Sequence, residues 1–152
     1  LKYGDITVWD SLAIQEYLAE KFPDARLWPA ERAARALARS VAAELHSGFA
    51  ALRNDLPMEC HGAQTRQPGA DAKADIARVC QLWQDCRRPH GKDGLFLFGR
   101  PGIADAMYAP VTVRFRTYGV ALDPVSAAYC DAVLATPAMR EWFALARHEV
   151  AA

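Results

Sequence analysis

Val8-Trp9-Asp10-Ser11-Leu12-Ala13-Ile14 is the stretch on which the fold turns. It reads as the end of a short strand, then a carboxylate and a hydroxyl, then a helix opening directly behind them. Ile6-Thr7-Val8 is β-prone and bounded by Gly4-Asp5 and by Asp10, which predicts a single strand. One strand has no partner and would stand as an open edge. The chain opens at Leu1 without an initiator Met, and together these features predict a piece of a longer polypeptide. The chemistry of the stretch suits a small zwitterion. Asp10 can hold an ammonium, while Ser11 and the unpaired N–H groups of a helix start can hold a carboxylate. Asp and Ser are also favoured helix caps, so capping is the competing role for both.

Working outward, the pattern is helical. Leu12, Ala13, Tyr17 and Leu18 share one face of a helix from Ser11 to Lys21, which Phe22-Pro23-Asp24 ends. Beyond Leu27-Trp28-Pro29, the run from Ala30 to Leu56 is rich in Ala, Leu, Arg and Glu, all good helix formers. Uninterrupted, that helix would extend about 40 Å. Gly48 in its middle marks a close contact or a bend, and Pro57 stops it. Residues 58–70 read as a loop. Asp71 is placed to cap a helix reaching Arg88, with Ile76, Val79, Cys80 and Trp83 turned inward. Pro89 to Gly94 is a loop, and Leu95-Phe96-Leu97-Phe98 is a buried connector too short for a helix. Three helices, at 103–118, 124–135 and 137–149, complete the chain. The predicted class is all-α, in two parts: residues 1–24 and a helical domain over 25–152.

A chain of 152 residues suffices for one domain, and at that size folding buries roughly 70% of the unfolded surface. Hydrophobic residues make up 52% and charged residues 24%, which excludes a disordered chain. Lys+Arg and Asp+Glu both count 18, so no net charge points to a nucleic-acid partner or an anionic membrane. No apolar run approaches the roughly 20 residues that span a bilayer, and no signal peptide is present, which predicts a cytoplasmic protein. Cys60, Cys80, Cys86 and Cys130 follow no disulfide or zinc rhythm and read as reduced thiols. The neighbours Cys60 and His61 carry no weight as a reactive pair. His90 and His148 have no partner at metal-ligand spacing, so no metal is expected.

Gly4-Asp5-Ile6-Thr7-Val8-Trp9-Asp10-Ser11-Leu12-Ala13-Ile14, followed by Glu16-Tyr17-Leu18, resembles the end of the thioredoxin-like domain of cytosolic glutathione transferases. Phe98-Gly99-Arg100-Pro101-Gly102-Ile103-Ala104-Asp105 resembles that family's buried helix start, usually Ser/Thr-Ile-Ala-Asp. Ala43-Glu44-Leu45-His46-Ser47-Gly48-Phe49 through Leu56-Pro57-Met58, and Phe115-Arg116-Thr117-Tyr118-Gly119-Val120, are similar to a bacterial subgroup.

The resemblance implies a helical C-terminal domain preceded by the last strand and helix of a truncated thioredoxin-like domain. It implies glutathione as co-substrate, with Asp10 and Ser11 on the acidic-Ser pair that binds the γ-glutamyl end. The thiol-activating residue is expected upstream of Leu1, so no catalytic residue is assigned. The implied partners are a small-molecule electrophile and, as is common in the family, a second copy in a homodimer of a detoxifying transferase; the alternative is a non-catalytic interaction module of the same fold. In the family the long helix lines the electrophile pocket. His46, Phe49 and Arg53 lie on one helical face at i, i+3 and i+7, and Tyr108 borders them. A core role competes for Phe49 and Tyr108. Gly102 and Asp105 take the cap positions. Gly there loses a side-chain acceptor, which costs roughly a few tenths of a kcal/mol against Ser. Arg114 and Arg116 are expected in structural ion pairs.

Overall fold

The computed structural model describes residues 1–60 and 62–150; His61 lies outside the described residues. Lys2–Tyr3 (β1) and Ile6–Thr7 (β2) pair antiparallel, with Lys2 opposite Thr7 and Tyr3 opposite Ile6. Leu1 and Val8 extend the ladder through bonds of 2.8 and 3.0 Å. The expected lone strand is therefore one arm of a hairpin. The Gly4-Asp5 pair makes the turn, with Gly4 at φ +56°, a conformation glycine adopts without steric cost.

Helix α1 (Ser11–Lys21) follows, docked by Leu12 and Ala19 against the main core. Helix α2 (Arg32–Ser47) buries Ala34, Ala38, Val41, Ala42 and Leu45 on one face. Glu31 caps it, accepting from the Ala33 and Ala34 N–H groups at 2.8 and 2.6 Å. The 30–56 run is not one helix. Gly48 leaves helical geometry, Phe49 sits at φ 59°, and α3 (Ala50–Asp55) restarts beyond it. A Cβ on Gly48 would stand 2.7 Å from the Glu44 carbonyl, so the contact and the bend coincide.

Helix α4 (Ala70–His90) starts one residue before the expected cap. Gly69 takes that position and Asp71 falls in the first turn, where its charge still favours the helix start. At its other end α4 continues through Pro89. Leu97 is fully buried in the connector while Leu95 is exposed. Helices α5 (Ile103–Thr117), α6 (Pro124–Leu134) and α7 (Pro137–Val150) complete the bundle. Helix α5 is buried on most sides, as a helix apolar almost all round must be. Trp83 of α4 meets Tyr108 and Phe115 of α5 and Tyr129 of α6, at ring separations of 5.8, 5.5 and 4.7 Å.

The start of α5 is held by more than its cap. Asp105 accepts from the Gly102 N–H at 2.9 Å and the Leu97 N–H at 3.0 Å, and the Leu27 carbonyl takes the Ile103 N–H at 3.0 Å. A Cβ on Gly102 would lie 2.8 Å from that carbonyl. Its φ of −154° suits any residue, so packing and not backbone freedom demands glycine. Gly102→Ser, which capping preference alone would favour, is expected to destabilise by about 1–3 kcal/mol. A denaturant midpoint equal to or above the parent's would show that the Leu27 carbonyl yields instead.

Candidate functional site

Asp10 carries the local geometry. Its φ of 75° and ψ of 134° lie in a region that non-glycine residues seldom occupy and that clusters at ligand sites. Its Oδ1 accepts from the Leu12 and Ala13 N–H groups at 2.9 and 3.1 Å, which caps α1. Its Oδ2 lies 2.9 Å from His46 Nε2, in the last turn of α2. The Ala13 N–H above all, with the Leu12 N–H and His46, holds the Asp10 carboxyl below its ordinary value against the opposing effect of desolvation. Ser11 opens α1, exposed, with no hydrogen bond to its hydroxyl among the described residues. The edge thus presents a fixed carboxylate, an uncommitted hydroxyl and a helix N-terminus.

The seam between α1 and α2 sets this arrangement. Glu16 pairs with Arg39 at 3.2 Å and accepts from Trp28 Nε1 at 3.1 Å, while Gln15 Nε2 reaches Met107 Sδ at 3.0 Å. The Glu16–Arg39 pair joins α1 to α2, while the other two contacts tie α1 to the Trp28 segment and to α5.

The residues expected to share one face are divided. His46 is exposed at the seam. Phe49 is buried at the break, and Arg53 turns back to donate from Nη2 to the Leu45 carbonyl, one of the open acceptors that end α2. Tyr108 is fully buried and donates to the Val41 carbonyl at 3.1 Å. The break at Gly48-Phe49 is the reason, because the common face required a continuous helix. Arg116 pairs with Asp131 at 3.3 Å as expected. Arg114 instead donates to the Leu56 and Pro110 carbonyls at 2.9 and 3.1 Å.

Burial pushes all four thiols up, Cys86 and Cys130 to about 12. None is poised as a thiolate. A cavity of about 410 Å³ behind the start of α5 is lined by Trp28, Glu31, His90, Phe98 and Arg100, and neither Asp10, Ser11 nor His46 borders it. Among the described residues no group of three or more His, Cys, Asp or Glu could hold a metal, and no helix is long and apolar enough to cross a membrane. The bond between Asp10 and His46 is the feature sequence reasoning missed. Neither residue's local pattern signals the other, since only the packing of α1 on α2 brings them together.

An all-helical domain with a carboxylate-capped helix docked at its front is the class that fold and site define. The family described as glutathione S-transferase, C-terminal domain, matches residues 30–145, and the chain belongs to that family. It is 31% identical over 125 residues to a maleylacetoacetate isomerase of Rattus norvegicus, an alignment covering 82% of this chain and 56% of the relative. The chain therefore spans little more than half the length of that curated relative. Among solved structures, a glutathione transferase homolog from Burkholderia gl BGR1 with bound glutathione superposes with a TM-score of 0.69 at 25% identity, over 97% of this chain and 71% of that one. A homolog from Lodderomyces elongisporus, with two glutathione molecules per subunit, gives 0.68 at 17% identity, over 93% and 69% of the respective chains. At that identity the second likeness concerns the fold alone.

Proposed function

We propose that Asp10 and Ser11 bind the γ-glutamyl end of glutathione, in a protein that delivers the glutathione thiolate to a small electrophile. In this reading residues 1–24 are the closing part of a thioredoxin-like unit and 25–152 the substrate-selecting domain. The observation that carries it is the edge at α1: a carboxylate fixed at the helix start beside the uncommitted Ser11 hydroxyl. The Asp10 carboxylate suits the ligand's ammonium. The Ser11 hydroxyl and the positive end of α1 suit its carboxylate. The bound glutathione in the Burkholderia homolog supports glutathione as the ligand.

The electrophile then approaches in front of the α2–α3 break. His46 is the exposed member of that wall. Phe49, Arg53 and Tyr108 support it from behind, by burial and by closing the end of α2. The residues of this chain position glutathione and select its partner.

Titration of the full-length protein carrying this chain tests the reading. Asp10→Ala and Ser11→Ala are each expected to weaken glutathione affinity by about tenfold, the loss of one hydrogen bond to a charged group. A protein without glutathione affinity would instead be a non-catalytic module of this fold.

A further inference from the structure

We infer that His46 is a positioning residue for the ligand's ammonium group, acting through Asp10 from the other side of the α1–α2 seam. This rests on the glutathione reading and assigns His46 a part on the glutathione side of the site.

The two oxygens of Asp10 have separate duties. Oδ1 accepts two backbone N–H groups, which fills its two acceptor positions. Oδ2 accepts from His46 and keeps one position open among the described residues. An ammonium bound by Asp10 must therefore use Oδ2, and the imidazole fixes where that oxygen points. The bond also requires the proton on Nε2, so it sets which ring nitrogen faces Asp10. Without His46 only the two cap bonds at Oδ1 oppose rotation of the carboxylate about Cβ–Cγ, and the position of Oδ2 loosens with it.

His46 is itself firmly placed. The Gly48 N–H closes α2 on the Glu44 carbonyl at 2.9 Å, and the Arg53 guanidinium reaches the Leu45 carbonyl immediately before His46. The neighbouring charges of the seam, Glu16 and Arg39, satisfy each other and do not compete for the imidazole. Asp10 cannot follow a displaced partner by backbone motion without abandoning the φ of 75° that presents its carboxylate to α1. The helical domain thereby takes part in reading the amino end of the ligand.

The consequence is specificity for a zwitterionic end over one that lacks the ammonium. The test compares two ligands by calorimetric titration of the full-length protein: glutathione and its desamino analogue, glutaryl-cysteinyl-glycine. The unmutated protein is expected to prefer glutathione. His46→Ala should lose about tenfold or more of its glutathione affinity while barely changing that for the analogue, so the preference collapses. His46→Gln, whose amide can donate to the same oxygen, should restore part of the preference. Equal weakening for both ligands in His46→Ala would indicate a merely structural role and overturn the inference, as would an undiminished preference. If the unmutated protein binds both ligands equally, Asp10 does not read the ammonium, and the inference falls together with that role of Asp10 while glutathione binding itself stands. If it binds neither, both fall.

Discussion

Asp105→Ala is expected to cost about 3 kcal/mol or more, because it strands two backbone donors at once, each worth roughly 1–3 kcal/mol when buried and unpaired. The Leu97 and Gly102 N–H groups both end on this carboxylate, and Leu97 is fully buried. The loss also unties the connector from the start of α5, the helix on which the others pack. Asp105→Asn keeps one acceptor and should cost less, which makes it the useful variant for a pH experiment. Burial pushes the Asp105 carboxyl up to about 6, against the lowering effect of the two N–H groups. The Tyr129 hydroxyl faces the same carboxylate, buried and without a hydrogen bond of good geometry. An unfolded Asp titrates near 3.9, about two pH units lower. The folded chain therefore binds the extra proton between about pH 4 and 6. That contribution to stability is complete below about pH 4 and is lost as pH rises through about 6. Asp10, Glu31 and Asp123, all held below their ordinary values, have the opposite sign and lose stability as pH falls. The difference between parent and Asp105→Asn isolates the first effect. Denaturant midpoints should converge on the variant's side as pH rises across that window. Parallel curves would place the Asp105 carboxyl at its ordinary value.

What the sequence made legible divides along physical lines. The helices were visible because apolar periodicity and end signals are local, and among the described residues six of the seven α-helices begin within two residues of where Pro, Asp, Ser or the Gly-Ile-Ala-Asp run places them. The exception, α3, begins where Phe49 takes a left-handed conformation, which an aromatic side chain does not advertise. Gly48 marked the place but not its form. The hairpin partner Lys2–Tyr3 was missed because a two-residue strand carries almost no alternation, although Gly4-Asp5 between two β-prone residues is a turn signal. At the site, the order carboxylate, hydroxyl, helix could be read directly. The role of His46 could not. Its expected companions Phe49 and Arg53 were inferred from a continuous helix, whereas its actual partner lies across a tertiary seam. Gly102 makes the same point in reverse, since capping preference assigns it a small loss and the Leu27 carbonyl makes it necessary.

Trp83→Ala should be the more damaging of two substitutions at the centre of the bundle, with an expected loss of about 3–5 kcal/mol. The ring is fully buried and touches an aromatic residue on each of two neighbouring helices, with a third contact to Phe115. Removing it opens a cavity where α4, α5 and α6 meet, and rigid aromatic neighbours cannot collapse to fill it. Trp83→Phe separates packing from polarity. The indole Nε1 is buried with no hydrogen-bond partner among the described residues, so phenylalanine removes an unsatisfied donor while keeping most of the ring contacts. The Phe variant is therefore expected to fall well short of the Ala loss, as measured by far-UV circular dichroism, which does not depend on the tryptophan being replaced. Equal losses would mean that the indole's full volume, and not merely an aromatic ring, supports the core. The consequence reaches the site. Tyr108, held edge-on by Trp83, donates to the Val41 carbonyl of α2, the helix whose last turn carries His46. Loosening that seat should lower glutathione affinity in Trp83→Ala only in proportion to the unfolded fraction if α2 stays docked. A larger loss, at temperatures where the variant remains folded, would show that the aromatic cluster sets the position of His46 against Asp10.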